Sequence, residues 1–162
     1  MRFLAFFTLI FGLFLTSCNS SNSSPTTRVY DVAASDPEML ATVKEARATL
    51  SQFLETVQHH DSSSYNFAVK MPFTDGERPE YIWLGEPAFK NGKWYGTVDN
   101  TPDYTHAVKE GERVSFDPTQ VTDWNYTRNG ELMGGYSIRL LRSRMTPEER
   151  AEFDKSTGWT IK

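Results

Sequence analysis

The sequence predicts an α+β domain in which helices pack on a curled, mainly antiparallel sheet of five to six strands. Three observations lead to this fold class. A long stretch with apolar residues at helical spacing comes first, over residues 37–59. Shorter stretches of alternating apolar and polar residues follow, separated by turn residues. A second helical pattern then closes the sequence.

The first helix is predicted to begin after Asp36 and to end near His59, about 23 residues later. Asp36 is a preferred N-cap, and Pro37 suits the first helical position. The polar face is not rich in Lys and Arg, so this helix is expected to cover a sheet rather than a membrane surface. Its predicted apolar stripe consists of Leu40, Val43, Ala46, Leu50, Phe53, Leu54 and Val57.

The strands are predicted from alternation and from the turns between them. Residues 65–71 alternate and predict a strand with one buried face, and residues 72–79 supply turn chemistry. Residues 81–84 are apolar on both faces, which indicates a central strand. Asn91-Gly92 predicts a hairpin. The remaining strands are predicted at residues 94–98, 113–116, 121–126 and 131–134.

The C-terminal part is predicted to be helical. Ile138, Leu141 and Met145 lie at helical spacing. Residues 146–149 read Thr-Pro-Glu-Glu, which is typical of an N-cap, a first-turn proline and a capping box. A short terminal helix is therefore expected to follow Thr146.

Residues 1–18 have the pattern of a bacterial lipoprotein signal. Arg2 precedes an apolar run over residues 3–15, and Leu15-Thr16-Ser17-Cys18 resembles a lipobox. The run is shorter than the roughly 20 apolar residues that a spanning helix needs. We therefore predict a cleaved signal peptide at residues 1–17 and lipid attachment to Cys18. The alternative is an ordinary secretory signal with a coincidental cysteine.

The segment after Cys18 predicts how the domain is held. Residues 19–27 contain only Asn, Ser, Pro and Thr, so residues 18–29 are expected to be a lipidated cysteine and a flexible tether. Aspartate after the lipidated cysteine commonly retains Gram-negative lipoproteins in the inner membrane. Asn19 therefore favours the outer membrane, facing the periplasm. Residues 30–162 are long enough for one globular domain.

Charge and cysteine content exclude some classes of protein. The formal net charge is −4, and loss of Arg2 with the leader makes it −5. This acidic balance argues against a nucleic-acid partner. Cys18 is the only cysteine in the sequence, so no internal disulfide can form and the fold depends on packing.

Five motifs carry a family resemblance. They are Phe-Ala-Val-Lys-Met-Pro-Phe at 67–73, Glu-Tyr-Ile-Trp-Leu at 80–84, Asn-Thr-Pro at 100–102, Gly-Glu-Arg-Val at 111–114 and Asp-Trp-Asn-Tyr at 123–126, followed by Gly134 and Gly135. In this order they resemble the bacterial YegJ-like family, domain of unknown function 2314. Tyr81 stands where we expect a histidine. The resemblance implies an α+β fold and, for lipoprotein members, a cell-envelope setting, and it implies no activity.

Motifs for catalysis are missing from the sequence. It contains no Gly-rich phosphate loop, His-Glu-x-x-His, Cys-x-x-Cys or nucleophile elbow. His59, His60 and Asp61 are possible metal ligands, but adjacent helical residues point in different directions. His106 has no recognisable serine or aspartate partner. We therefore predict no catalytic residue, no metal site and no cofactor.

Polar residues set among aromatic strands suggest a binding surface, because aromatic area and oriented hydrogen bonds combine in many sites. Alternatively, Trp83 and Trp124 belong to the core, Asp75 caps a turn, Asn100 brackets a loop and Lys70 pairs with Glu80 across strands. The candidate surface residues are Lys70, Asp75, Glu80, Trp83, Asn100, Asp123, Trp124 and Tyr126.

The leading functional hypothesis is an envelope lipoprotein with a non-catalytic binding module. The N-terminal lipid attaches the protein to the membrane, and the ligand of the binding module is an envelope protein or a cell-wall component. One alternative is a hydrolase acting on an envelope polymer, with Glu80 and Asp123 as acid and base. Another is an immunity-like inhibitor of a toxin. The oligomeric state is left open.

Mass spectrometry of the native protein tests the anchor. We expect the mature chain to begin at Cys18 and this residue to carry acyl chains, because two or more chains give stable membrane attachment. A Cys18→Ser variant is the control and should carry no lipid. A bare Cys18 thiol or a retained leader in the native protein contradicts the prediction.

Overall fold

The computed structural model describes residues 36–162. The leader, Cys18 and the tether predicted at residues 18–29 lie outside the described residues. No helix in the described part combines the length and the apolar content that crossing a bilayer requires. The elements, in chain order, are α1 (Pro37–His59), β1 (Ser64–Phe73), β2 (Glu80–Lys90), β3 (Lys93–Val98), β4 (Arg113–Phe116), a 3-10 turn (Pro118–Gln120), β5 (Asp123–Arg128), β6 (Glu131–Gly134), α2 (Tyr136–Ser143) and α3 (Pro147–Thr157).

The strands form one open sheet in the order β4-β3-β2-β1-β5-β6, and all neighbouring strands are antiparallel. Most neighbours in the sheet are also neighbours in the sequence, since hairpins join them. The connection from β4 to β5 is the exception, because it leads from one edge of the sheet to the far side of β1. The predicted α+β class, the N-terminal helix, the antiparallel sheet and the short C-terminal helix are confirmed, and the sheet does not close into a barrel.

Helix α1 begins where the sequence predicts. The Asp36 carboxylate accepts hydrogen bonds from the backbone N–H groups of Glu38 (2.9 Å) and Met39 (3.4 Å), as an N-cap does. Leu40, which belongs to the predicted apolar stripe, is 54% exposed, and burial begins at Ala46. The residues that α1 buries are Ala46, Leu50, Phe53 and Val57.

The core lies between α1 and one face of the sheet. The Phe53 ring stacks on Trp124 with centroids 5.0 Å apart. The Trp124 indole N–H also donates to the Ala46 carbonyl at 2.9 Å, so the helix is held by both packing and a buried hydrogen bond. The sheet contributes to this core Val69, Met71, Ile82, Leu84, Trp94, Val98, Phe116, Trp124 and Tyr126.

Two Asn-Gly turns close the hairpins. Asn91 and Gly92 join β2 to β3, and both have positive φ (51° and 77°). Asn129 and Gly130 join β5 to β6 with φ values of 51° and 81°. A two-residue turn of type I′ needs positive φ at both positions, which Asn and Gly adopt most easily, so these turns could be predicted from the sequence.

Some element boundaries differ from the prediction. Strand β2 is one continuous strand (Glu80–Lys90), where the sequence predicted a short strand at 81–84 and a separate hairpin arm. Strand β5 begins at Asp123 rather than Val121, because the 3-10 turn Pro118–Gln120 precedes it. The helical spacing at Ile138 and Leu141 belongs to the separate helix α2. Helix α3 follows Thr146 with the predicted capping box.

Replacement of Gly134 tests how tightly β6 packs on β5. Gly134 has φ 67°, and an added Cβ would lie 2.4 Å from the Trp124 ring and from its carbonyl oxygen. Gly134→Ala should lower the free energy of unfolding by about 2–5 kcal/mol, from left-handed strain plus overpacking. Urea unfolding followed by tryptophan fluorescence measures this value.

Gly130→Ala is the matched control. Gly130 also has positive φ (81°), but an added Cβ would meet nothing within 4 Å. This variant should lose only the conformational part, about 1–2 kcal/mol. Equal losses in the two variants would show that the contact with Trp124 is unimportant.

Candidate functional site

The sheet forks between its two central strands. β1 and β2 pair from Phe73 opposite Glu80 as far as Ala68 opposite Gly85, and the pairing stops there. Beyond this point β1 continues beside β5 and β2 continues beside β3. Both strands have an irregular register at the fork, where Asn66 and Glu86 adopt positive φ (54° and 50°). These two bulges turn the strands apart.

A groove of about 840 Å³ lies at this fork. We call it the fork groove and define it by residues 65–67 of β1 and 85–87 of β2, with Trp83, Asn100, Asn125 and Trp159 around them. Pro87 fits this place because β2 has no β1 partner beside it, so the missing N–H removes no ladder hydrogen bond on that side. The volume lies within the range of small-ligand sites.

Lys70 lies beside the fork groove, between two other candidate residues. In the strand register it is opposite Trp83 on β2 and opposite Asp123 on β5. Its ammonium nitrogen is 5.5 Å from the centroid of the Trp83 ring, within cation–π range. Burial lowers the pKa of Lys70, and the charge of Asp123 opposes this shift. The structure therefore brings Lys70, Trp83 and Asp123 together on one face of the sheet.

The side chain of Asn125 presents its amide to the fork groove. It is only 6% exposed and lines the fork groove. Within residues 36–162 its amide group makes no hydrogen bond, and it is not sealed from the groove. The neighbouring Asn100 is committed instead, since its Oδ1 accepts from the Trp83 backbone N–H at 2.9 Å. A buried amide can donate and accept, so Asn125 offers both functions to a ligand.

Asp123 is structural, although it was predicted for the binding surface. Its side chain is 1% exposed. It accepts from the backbone N–H groups of Trp124 (2.8 Å), Tyr136 (3.1 Å) and Ser137 (2.8 Å) and from the Ser137 hydroxyl (2.6 Å). Gly135, the N-cap residue of α2, has no side chain to cap the helix, so Asp123 does so from β5. Burial raises the pKa of Asp123, and the hydrogen bonds from Ser137 and Trp124 oppose this shift.

Glu80 holds the loop that follows β3. It is 8% exposed, and its carboxylate accepts from the backbone N–H groups of Asp103 (2.7 Å), Tyr104 (3.2 Å) and Thr105 (2.9 Å). Burial raises the pKa of Glu80, but these three donors together outweigh it, and the pKa lies below the usual value.

Asp75 fastens the same loop. Its carboxylate accepts from the His106 backbone N–H at 2.7 Å and from the Thr105 hydroxyl at 3.1 Å. The His106 hydrogen bond is the main reason why the pKa of Asp75 is lowered. The predicted cross-strand pair of Lys70 with Glu80 is wrong, because Lys70 lies opposite Trp83 and Glu80 lies opposite Phe73.

Trp124 and Tyr126 do not lie on the predicted surface. They are 6% and 5% exposed and face α1, on the opposite side of the sheet from Asp123 and Asn125. Successive residues of a strand point to opposite faces, so a binding surface cannot include Asp123, Trp124 and Tyr126 together. Of the two tryptophans, Trp83 lines the groove and Trp124 belongs to the core.

The carboxylate pair of the hydrolase hypothesis is not brought together. Asp123 is opposite Lys70, and Glu80 is opposite Phe73, three residues further along β1, so the two side chains face opposite sides of the sheet. Two strand spacings and three residues place their Cα atoms about 14 Å apart. Glycosidase carboxyl groups are at most about 9.5 Å apart. Glu80 and Asp123 therefore cannot act on one substrate as acid and base.

The histidines near the end of α1 take part in local contacts. His60 Nδ1 lies 2.9 Å from the Val57 carbonyl oxygen, and its ring packs on Phe67 with centroids 4.8 Å apart. Asp61 accepts from the backbone N–H of Ser63 at 2.9 Å. In residues 36–162 no three His, Cys, Asp or Glu side chains are grouped so that they could hold a metal ion.

One end of the fork groove is acidic. Glu86 and Asp99 line it, and Glu110 lies close enough to act on Asp99. Partial burial raises the pKa of Asp99, and the charges of Glu110 and Glu86 raise it further. Arg113 donates to the Glu86 carbonyl oxygen at 3.1 Å and lies 3.9 Å from its exposed carboxylate, so it neutralises this end only in part.

Several groove residues were not predicted from the sequence. Asn66 and Glu86 matter through their positive φ, which Asn adopts more readily than most residues but which Glu gives no reason to expect. Asn125 lies in the motif Asp-Trp-Asn-Tyr at residues 123–126, where the aromatic residues and Asp123 were the predicted binding residues. Pro87 offered the one readable signal, since a proline within a strand indicates a side without a ladder partner.

Comparison with known proteins identifies relatives. The profile of the family described as "Uncharacterized protein conserved in bacteria (DUF2314)" matches residues 36–161. The chain is 34% identical over 142 residues to "Uncharacterized protein YegJ" of Escherichia coli (strain K12), covering 86% of this chain and 89% of that protein. It is 32% identical over 138 residues to "Putative ankyrin repeat protein NMB1133/NMB1171" of Neisseria meningitidis serogroup B, covering 80% of this chain and 54% of that protein, about half its length. No solved structure matches the chain significantly.

The role of Glu80 predicts how stability depends on pH. Because folding lowers its pKa below 4.5, the ionised carboxylate stabilises the fold above that pH, and this stabilisation is lost as pH falls through the lowered pKa. Glu80→Gln should reduce the free energy of unfolding by about 1–2 kcal/mol at pH 7, with a smaller difference from the native protein at pH 3. Urea unfolding at both pH values measures this.

Glu77→Gln, in the exposed turn between β1 and β2, is the control. It should leave stability nearly unchanged at pH 7. A difference between Glu80→Gln and the native protein that is as large at pH 3 as at pH 7 would contradict the role given to the ionised carboxylate.

Proposed function

The chain belongs to the DUF2314 family, and we propose that it is a non-catalytic binding module whose ligand lies in the fork groove. The observation that carries the proposal is the Asn125 amide, which is 6% exposed, lines the groove and makes no hydrogen bond within residues 36–162. The amide atoms are open to the groove, so a ligand there can both donate to and accept from the Asn125 side chain.

The surroundings of Asn125 support binding. The half-buried Trp83 lines the same groove and offers an aromatic surface, with the Lys70 ammonium above its ring. Aromatic area beside a few oriented polar groups is the usual composition of a ligand site. The hydrogen bond from the Trp83 backbone to Asn100 fixes this part of β2, so the surface is pre-organised.

The buried carboxylates support a role without catalysis. Asp123 accepts four hydrogen bonds, three from the first residues of α2 and one from the next residue of β5. Glu80 accepts three hydrogen bonds from one loop. A general acid or base must reach a substrate proton. Both groups are instead occupied in holding backbone N–H groups.

The proposed setting is the cell envelope. We propose that Cys18 carries the lipid and holds the domain at the outer membrane, facing the periplasm, with an envelope protein or cell-wall component as ligand. The lipobox-like residues 15–18 and Asn19 support this setting. The net charge of −4 makes a nucleic-acid ligand unfavourable.

Photocrosslinking in intact cells tests the proposal. Tyr65 lines the fork groove and is 45% exposed, so Tyr65→p-benzoylphenylalanine places a reactive group at the ligand with little structural cost. We expect an adduct of defined mass, and we expect Asn125→Leu in the same chain to reduce its yield at least fivefold. Immunoblotting of the protein measures the yield.

Phe89→p-benzoylphenylalanine is the matched control. Phe89 is 51% exposed and does not line the groove. It should give no adduct of the same mass. Equal adducts from both positions, or a yield at Tyr65 that Asn125→Leu leaves unchanged, would contradict the groove as the binding site.

A further inference from the structure

We infer that the ligand of the fork groove is an extended, basic peptide segment of a partner protein that hydrogen-bonds to the strand edges at the fork. This inference rests on the proposed function and names the chemical class of the ligand.

Strand edges face the groove on both sides. The described β1 residues before Ala68 have β5 on one side and no strand on the other. The β2 residues after Gly85 have β3 on one side and, within residues 36–162, no strand on the other. A strand edge is a template for a further strand, and its main-chain groups give affinity without requiring a particular sequence. Such edges favour a peptide over other ligands that an aromatic surface and an amide could bind.

The side chains around the fork match a peptide group. The Asn125 amide can donate to a carbonyl oxygen and accept from an N–H, and a peptide unit presents both. Tyr65 is 45% exposed, and with Trp83 it offers apolar area to alternate side chains of an extended segment. A neutral sugar chain could also bind the amide, the indole and single backbone groups, but it lacks the regular repeat of N–H and C=O groups that matches a strand edge.

The acidic end of the groove favours positive charge. Glu86 and Asp99 line the groove, and Glu110 lies near Asp99. The Arg113 guanidinium is 3.9 Å from the Glu86 carboxylate, which is highly exposed, so this ion pair is weak. A Lys or Arg side chain of the ligand would relieve the repulsion among the three carboxylates. An acidic peptide would add to it.

Peptide selection tests the inference. A random dodecapeptide library is selected on the full lipidated chain in detergent, and the strongest peptide is synthesised and its Kd measured by fluorescence anisotropy. We expect selected peptides to be rich in Lys or Arg and in β-branched residues. Glu86→Lys should weaken binding at least tenfold, whereas Glu77→Lys, the same change of charge at an exposed turn, should change it less than twofold.

Backbone methylation tests the strand pairing. Each residue of the selected peptide is N-methylated in turn, which removes one N–H at a time. Pairing with one strand edge predicts losses of at least tenfold at every second residue, because alternate N–H groups point to the same edge, whereas pairing with both edges predicts such losses at successive residues. Uniform small effects along the peptide overturn the pairing.

The remaining outcomes separate the two proposals. If the chain selects no basic peptide but binds an N-acetylglucosamine tetramer that Asn125→Leu abolishes, the peptide is wrong and the groove stands. If removal of residues 19–35 strengthens peptide binding at least tenfold, the chain's own segment is the occupant and the partner protein is wrong. If neither Asn125→Leu nor Glu86→Lys affects a bound probe, both proposals fail. Circular dichroism and urea unfolding confirm that the variants are folded.

Discussion

The indole of Trp124 joins the helix to the sheet, and the rest of the fold depends on it. It stacks on Phe53 and donates its N–H to the Ala46 carbonyl, so one side chain fixes both the height and the rotation of α1. Its other edge lies against Gly134, where no larger residue fits. Strand β5, which carries Trp124, lies beside β1 in the sheet, so this contact places α1 over the face of the sheet that holds the core. The other core residues on that face of the sheet, among them Val69, Ile82 and Leu84, belong to the same cluster as Trp124.

The acidic residues show how a fold without disulfides secures its irregular parts. Asp123, on β5, caps the N-terminus of α2. Glu80 accepts hydrogen bonds from three backbone N–H groups of one loop, and Asp75 accepts one from the end of that loop. Each carboxylate supplies the acceptors that a loop or helix end lacks. Residues that resemble an acid–base set in the sequence are therefore part of the framework. The neutral amide of Asn125 makes no hydrogen bond within residues 36–162, and the proposed function rests on it.

The fork follows from where strand pairing ends. Two bulges at Asn66 and Glu86 turn β1 and β2 away from each other, and each strand then keeps one partner. Left-handed backbone at a residue such as Glu86 costs energy, and strain of this kind is common at functional sites. The sheet gives up a few ladder hydrogen bonds there and gains a groove whose walls are strand edges. Rigid strands hold these edges in place, which makes the groove a better binding site than a loop of equal size.

The sequence by itself determined the local elements and the fold class. Apolar spacing and the cap at Asp36 defined α1, and the two Asn-Gly turns defined the hairpins, because helical periodicity, capping and turn geometry act over a few residues. Only the tertiary structure decided which polar residues meet. The register placed Glu80 and Asp123 on opposite faces, buried Trp124 and brought Asn125 to the fork. Contacts of this kind depend on the register between strands that are distant in the sequence. A shift of that register by one residue would move every side chain of a strand to the other face of the sheet.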